Sequence, residues 1–379
     1  MSGASALDGL LVADFSRVLA GPLAAMTLGD LGAEVIKVEP PRGDETRTWK
    51  PPQTEDGSAT YFHSVNRNKR SIALDLADPD DRLVAVALAA RADVLIDNFK
   101  PGGLQRLGLE PERLRERNPG LVHCSITGFG AAAGTALPGY DPLVQAMSGL
   151  MSITGPAGGE PSKVGVALVD VIAGLGAAVA ILAALRARER DGEGQRIEID
   201  LLSSALAALV NQASGYLNAG AVPARMGNTH PSIEPFATYG AADGALMICA
   251  GNDRQFEALA RALGSPELAQ DPRFATNAAR VENRAAVREL IEARLATAGV
   301  GAWVGRLRDA GVPAGPVNDV PAAFELAQTL GLNAVDEHGG IHTVASPLGL
   351  RGTPPSTRRP PPGLDEHGTE IRSWLAGGG

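Results

Sequence analysis

The chain has 379 residues, of which 44% are hydrophobic and 20% charged, close to ordinary globular usage. Its formal charge of −9 at pH 7 argues against a nucleic-acid protein, whose footprint is a basic face. Length allows two domains and a sizeable core, and aromatics at only 4% leave that core to small aliphatic side chains and close helix packing.

The opening, MSGASALDGLLVADFS, lacks the basic and apolar regions of a secretory signal. Residues 10–15 then read as a strand, AGPLAAMTLGDLG as a loop feeding a helix, and AEVIKVE as a second strand, a βαβ unit. NRNKR (66–70) is a polar, basic loop before the strand SIALDL. Such a run is usually a solvated surface; alternatively its charge helps to hold phosphates. Asp78-Pro79 caps a helix through DDRLVAVALAARA, DVLIDNF is the next strand, and helical PERLRERN precedes the strand LVHCSI. Strands apolar on both faces and alternating with helices predict an α/β fold on a parallel sheet.

After Gly130 the texture changes. DPLVQAMSGLMS reads as helical, and VGVALVD leads into VIAGLGAAVAILAALRARER, a helix apolar nearly all round and therefore expected to be buried. Its apolar run, 171–185, is too short for a membrane span of roughly 20 residues. RIEID is a strand and LLSSALAALVNQASGYL one long helix. From about Val222 a hairpin forms around Asp243-Gly244, followed by helices at DRQFEALARALG, ARVENRAAVRELIEARLA and GAWVGRLRDAG. The domains predicted are 1–221, a smaller α+β unit over 222–328, and a return segment over 329–379.

Asp170 stands where that apolar helix begins. It reads first as an N-cap; the same geometry also suits a carboxylate kept ionised by the helix dipole and free N–H groups, ready for nucleophilic attack. Tyr140-Asp141 in PGYDP is a turn starter or a phenol and second carboxylate beside the first. Arg17, Arg42, Arg47 and Arg106 fall near the ends of predicted elements, and Arg17 and Asn98 lie beyond strand ends, where open α/β sheets bind ligands. Cys124 and Cys249 have no CxxC spacing and read as buried thiols in a reducing, cytoplasmic setting. The six histidines show no ligand spacing, so no metal is expected, and no GxGxxG after a strand, Walker A or GxSxG sequence occurs.

Eight stretches together resemble the family III CoA-transferases: LDGLLVADFSRVLAGP (7–22), LGAEVIKVEPPRGD (31–44), NRNKRSIALDL (66–76), DVLIDNFKPGGLQRLGL (93–109), ITGFG (126–130), PGYDPLVQAMSG (138–149), GNTHPSIEPFATYGAADG (227–244) and GVPAGPVND (311–319). The resemblance implies a Rossmann-like large domain built from both chain ends, a smaller α+β domain, and two chains interlocked as a homodimer. It matches the family's nucleophile to Asp170 and places Tyr140 and Asp141 beside it. Its coenzyme A contacts would fall on Val18, Ala20, Leu74, Leu76, Asn98, Phe99 and Arg106, and Arg17, placed beyond a strand end, is expected to join them. Where formyl-CoA transferase, a member of the family, has an Arg after the second strand's Glu, this chain has Pro40, with Arg42 as the substitute. That member's glycine-rich shielding loop has no counterpart here.

The implied reaction moves coenzyme A from an acyl-CoA to a carboxylic acid through an aspartyl-CoA thioester, with acyl-CoA as substrate and no permanently bound cofactor. Segments GNTHPSIEPF and AGNDRQF resemble the branch that uses succinyl-CoA and small dicarboxylic acids. The racemase branch, acting on α-methylacyl-CoA, carries His where this chain has Tyr140, and a phenol is a poor acid/base at neutral pH. A non-catalytic acyl-CoA-binding dimer is the third alternative. Neither nucleic acid nor membrane is an expected partner.

Overall fold

The computed structural model describes residues 5–377; the first four residues of the opening read as non-secretory lie outside the described residues. Residues up to 151, with 163–222 and 332 onward, pack as one compact unit, and 152–162 with 223–331 as a second.

The first unit holds six parallel strands: β1 (Leu11–Asp14), β2 (Glu34–Glu39), β3 (Lys69–Ala73), β4 (Val94–Asp97), β5 (Val122–Thr127) and β6 (Arg196–Asp200). Their order, β3-β2-β1-β4-β5-β6, is that of a doubly wound Rossmann-like sheet, with the chain reversing direction across the sheet between β1 and β4. The central strands are buried on both faces, as their unbroken apolar character requires. Helix α1 (Ala20–Asp30) covers one face with alanines and glycines. That small-residue surface admits a second helix at contact distance: a Cβ at Gly174 would sit 2.6 Å from the Ala20 carbonyl oxygen. Helix α2 (Pro79–Arg91) starts as its sequence predicts, with the Asp78 carboxylate accepting the N–H groups of Asp80 and Asp81 at 2.9 and 3.1 Å.

Three helical expectations in the first unit are corrected. DPLVQAMSGLMS divides after α3 (Asp141–Met147), where Gly149 turns left-handed at φ 90°. The apolar helix, α4 (Leu168–Asp191), buries Val169, Ala173, Ala177 and Ile181 but leaves Leu175 48% and Val179 67% exposed. At 24 residues it is long and apolar enough to cross a membrane by length and composition, unlike the shorter run read from the sequence; here its inner face completes the core under the sheet. The long helix after β6 breaks into α5 (Leu201–Ala208) and α6 (Val210–Ala219) at Val210, which takes φ 42°. Nothing in the local sequence marks that break.

The basic run is also corrected. Asn66, Arg67, Asn68 and Lys69 are all buried rather than solvated. Arg67 pairs with Asp30 and donates to the Val344 carbonyl at 2.7 Å. Asn68, in the left-handed region that asparagine tolerates, donates to the Ser356 carbonyl and accepts the N–H groups of Arg358 and Arg359. The polar run clamps the returning carboxy-terminal segment to the sheet, which the helix Gly368–Ala376 then flanks beside β3.

In the second unit β7 (Phe236–Ala241), β8 (Gly244–Cys249) and β9 (Ala314–Pro316) form an antiparallel sheet, covered by helices including Asp253–Ala262, Arg284–Leu295 and Val300–Asp309. The hairpin is present, and its Asp243 accepts the Val300 N–H at 2.7 Å, so one turn residue also starts a helix. The long stretch ARVENRAAVRELIEARLA divides at Asn283. The fully buried Arg280 is satisfied by the carbonyls of Glu234 and Phe274 and by Asp253.

Candidate active site

A cleft of about 260 Å³ opens beyond the carboxyl ends of β1 and β4, the crevice where doubly wound sheets bind ligands. One wall is the turn from β1 into α1. Asn98, just past β4, grips this turn twice: its Oδ1 accepts the Arg17 N–H at 3.0 Å and its Nδ2 donates to the Arg17 carbonyl at 2.8 Å. Val18 sits at φ 71°, a costly conformation for a β-branched residue, and its N–H is held by Asp44 Oδ2 at 3.2 Å. Buried ion pairs lie behind the turn. Lys37 pairs with Asp44 at 2.9 Å and donates to the Ser16 carbonyl at 2.9 Å, while Lys69 pairs with Asp14 at 2.8 Å. Burial opposes ionisation of Asp44, yet the Lys37 charge and the Thr46 N–H outweigh it and hold the carboxyl down at about 2. For Lys69 burial prevails over the Asp14 charge and brings the ammonium down to about 8.

The opposite wall is the loop that follows β5. Its two ends meet backbone to backbone at Gly128 and Gly139, where an added Cβ would stand 2.3 Å and 2.7 Å from the facing Cα. Phe129, Gly130, Thr135, Leu137 and Pro138 from this loop line the cleft.

The third side carries the two carboxylates. Asp141, the first residue of α3, is buried, and its Oδ2 accepts the N–H groups of Val169 at 2.8 Å and Asp170 at 3.1 Å. This corrects the expected role of Asp170. It lies inside the first turn of α4 rather than at the N-cap, and Asp141 takes the free N–H groups from across the cleft. No cation pairs with Asp170 among the described residues. Burial, reinforced by the Asp141 charge, pushes its carboxyl up to about 7, the reverse of a carboxylate held ionised by donors.

Arg17, Val18, Ala20, Asn98, Phe99, Tyr140, Asp141 and Asp170 are thus brought together around one cleft. Arg17 lies 5.9 Å above the Phe99 ring and 3.4 Å from Glu45. Tyr140 is 59% exposed at the rim. Leu74 and Leu76 lie with the core on the sheet's other face, and Arg42 and Arg106 are exposed residues outside the cleft lining. Arg47, also singled out, forks onto Glu39 with two bonds of 2.7 Å and stacks 3.6 Å over Phe62.

Sequence reasoning missed Tyr61. Its phenol is pushed up to about 12 by burial and by the charges of Asp170, Asp141 and Asp44, which places it electrostatically in the same site. Gln145 was missed as well, although it stands one helical turn after Asp141.

Comparison with known proteins agrees with this geometry. The family model "CoA-transferase family III" matches residues 7–368. Succinate–glutarate CoA-transferase of Agrobacterium fabrum is 44% identical over 381 residues, covering 97% of this chain and 95% of that protein. Acetyl-CoA:oxalate CoA-transferase of Acetobacter aceti is 41% identical, with the same coverage of 97% and 95%. The crystal structure of a CaiB/BaiF family protein from Brucella suis superposes with a TM-score of 0.90 at 44% identity, covering 98% of this chain and 100% of that one. With its doubly wound sheet and its cleft of paired carboxylates, this chain belongs to CoA-transferase family III and is an enzyme of coenzyme A transfer.

Proposed function

We propose that the enzyme moves coenzyme A from succinyl-CoA to a small dicarboxylic acid such as glutarate, with Asp170 as covalent nucleophile. The observation that carries this reading is Asp170 itself: a carboxylate in the cleft wall, largely removed from water, unpaired by any cation among the described residues and facing a second carboxylate. Such a group is more basic than an ordinary aspartate, and when ionised it is a correspondingly better nucleophile.

Asp170 attacks the thioester carbonyl, the C–S bond breaks, and the products are a mixed anhydride and the CoA thiolate. The thiolate then attacks the aspartyl carbonyl carbon; the C–O bond breaks, releasing the first acid and leaving an aspartyl-CoA thioester. The incoming carboxylate reverses both steps and leaves as the new acyl-CoA, with no net proton change. The Arg17–Ala20 turn, Asn98 and Phe99 form the wall proposed to hold the pantetheine and phosphate portions, with the exposed Arg42 and Arg106 on the outer path. Tyr140 and Asp141 flank the reacting carboxylate. The names of the relatives support the choice of acids: besides the glutarate enzymes, the succinyl-CoA:mesaconate CoA-transferase of Haloarcula hispanica is 38% identical over 97% of this chain.

A homodimer is part of the proposal. It is supported by the apolar side chains that α4, α5 and α6 leave bare, among them Val179, Leu206, Val210 and Leu217. A cytoplasmic setting is likewise proposed, supported by two unbridged cysteines.

The test is a mass-spectrometric incubation in D₂O of wild type and Asp170→Asn with succinyl-, acetyl- and 2-methylacyl-CoA and a panel of mono- and dicarboxylic acids. Glutaryl-CoA formed by wild type and reduced about 10⁴-fold or more in the variant is the expected result. Deuterium gained at the α-carbon without acyl exchange would replace the transferase by a racemase.

A further inference from the structure

Gln145 lies on α3 one turn after Asp141 and is fully buried. Its amide has no freedom to turn. The Val164 N–H donates to Oε1 at 2.9 Å, which leaves the amino end for Asp141 Oδ1 at 2.5 Å, with its second hydrogen toward the Val166 carbonyl at 3.4 Å. Asp141 therefore receives three donors: Gln145 on one oxygen, and the Val169 and Asp170 N–H groups on the other. Asp170, its neighbour in the cleft, receives none among the described residues. One short relay thus ties the strand of chain entering α4 to the carboxylate that caps it.

We propose that Gln145 is a positioning residue for the transfer reaction: it holds Asp141 as the hydrogen-bond acceptor over the start of α4, so that Asp170, the carboxylate with no donors among the described residues, is the member of the pair that becomes the nucleophile. The inference rests on the reading of Asp170 as nucleophile. Two confined carboxylates lose their protons in coupled steps, and the member with fewer donors keeps the shared proton. With the Gln145 donor removed, Oδ1 of Asp141 is buried bare, and the difference in donors that sets the two carboxylates apart shrinks. The shared proton then spreads over both groups. Ionised Asp170 appears at lower pH, but it faces a partly neutral neighbour and is less basic. Among the described residues, the other titratable and charged groups facing the pair are Tyr61 and, around the cleft, Arg17, Glu45, Lys100 and Tyr140.

The experiment measures kcat and KM for succinyl-CoA with glutarate between pH 5.5 and 8.5 in wild type, Gln145→Met and Gln145→Glu, with Asp170→Asn alongside. For Gln145→Met, kcat at pH 8 falls about 10-fold, KM stays within about twofold, and the acidic limb of the profile moves about one pH unit lower. The carboxyl introduced by Gln145→Glu reproduces both hydrogen bonds only while protonated. Its activity relative to wild type therefore falls about 10-fold from pH 6 to pH 8, the opposite trend. A residue that merely fills space would lower the whole profile without changing its shape. Profiles of wild-type shape in whichever of the two variants folds would overturn the role of Gln145 alone; transfer retained by Asp170→Asn would overturn both it and the nucleophile reading.

Discussion

Two groups of carboxylates, buried or partly so, flank the cleft, and they are wired in opposite ways. Behind the Arg17–Ala20 turn, Asp14, Glu39 and Asp44 face Lys37, Lys69 and Arg47; burial raises all three carboxyls, but the cations and hydrogen bonds bring each below its usual range. At the start of α4, Asp141 and Asp170 face each other, and the one without donors rises to about 7. The first arrangement neutralises charge to hold a strained turn in shape. The second confines charge of one sign and thereby makes a carboxylate reactive. Both sit at the edge of the same sheet, so burial alone does not tell a scaffold from a site; the sign of the neighbour does.

Three measurements break or sharpen this contrast. The largest effect falls on the paired cluster. Lys37→Met leaves Asp44 and Asp14 buried without their shared cation and lowers stability by about 3–5 kcal/mol, read from urea denaturation at pH 7. A loss below about 1 kcal/mol would show that the pairs do not hold the turn.

On the unpaired side the sign reverses. The Asp170 carboxyl ionises near pH 4 when unfolded and near 7 when folded, so its contribution to stability is lost as pH rises through about 7. Asp170→Asn removes that penalty. It therefore raises stability by about 1–2 kcal/mol at pH 8, after allowance for solvent screening, and by almost nothing at pH 4. Equal stability at both pH values would remove the strain assigned to this position. The smallest effect is read on the pH–rate profile. Asp141→Asn deletes the facing charge, so the midpoint of the pH–rate profile drops by about one unit, measured as kcat/KM for acyl-CoA.

Much of both units was legible because the signals are local. Strands apolar on both faces, Asp78-Pro79 before a helical pattern, and a turn between β7 and β8 need no distant partner to be recognised. Asp170 and Asp141 were legible through the family resemblance, but not the division of labour between them. That depends on an N–H of one chain segment meeting a carboxylate 28 residues away. Tyr61, Gln145 and Asp44 escaped for the same reason, since a buried polar residue announces itself only by what it touches. NRNKR was misread on composition: polar runs are ordinarily solvated, whereas here Arg67 and Asn68 find Asp30 and the segment 344–359.

The clamp at Asn68 also sets a timetable. Its partner Arg358 lies 290 residues later, so at about 5–20 residues per second a ribosome delivers it roughly 15–60 s after Asn68 has been made. Until then Arg67 and Asn68 lack the carbonyls and N–H groups that satisfy them, and the parallel sheet, whose last strand is made by residue 200, lacks its carboxy-terminal cover. The antiparallel unit, whose chain ends at residue 331, has all its parts earlier. The order in which the two units begin and the order in which they are completed therefore run opposite to each other: the half begun first is the half finished last.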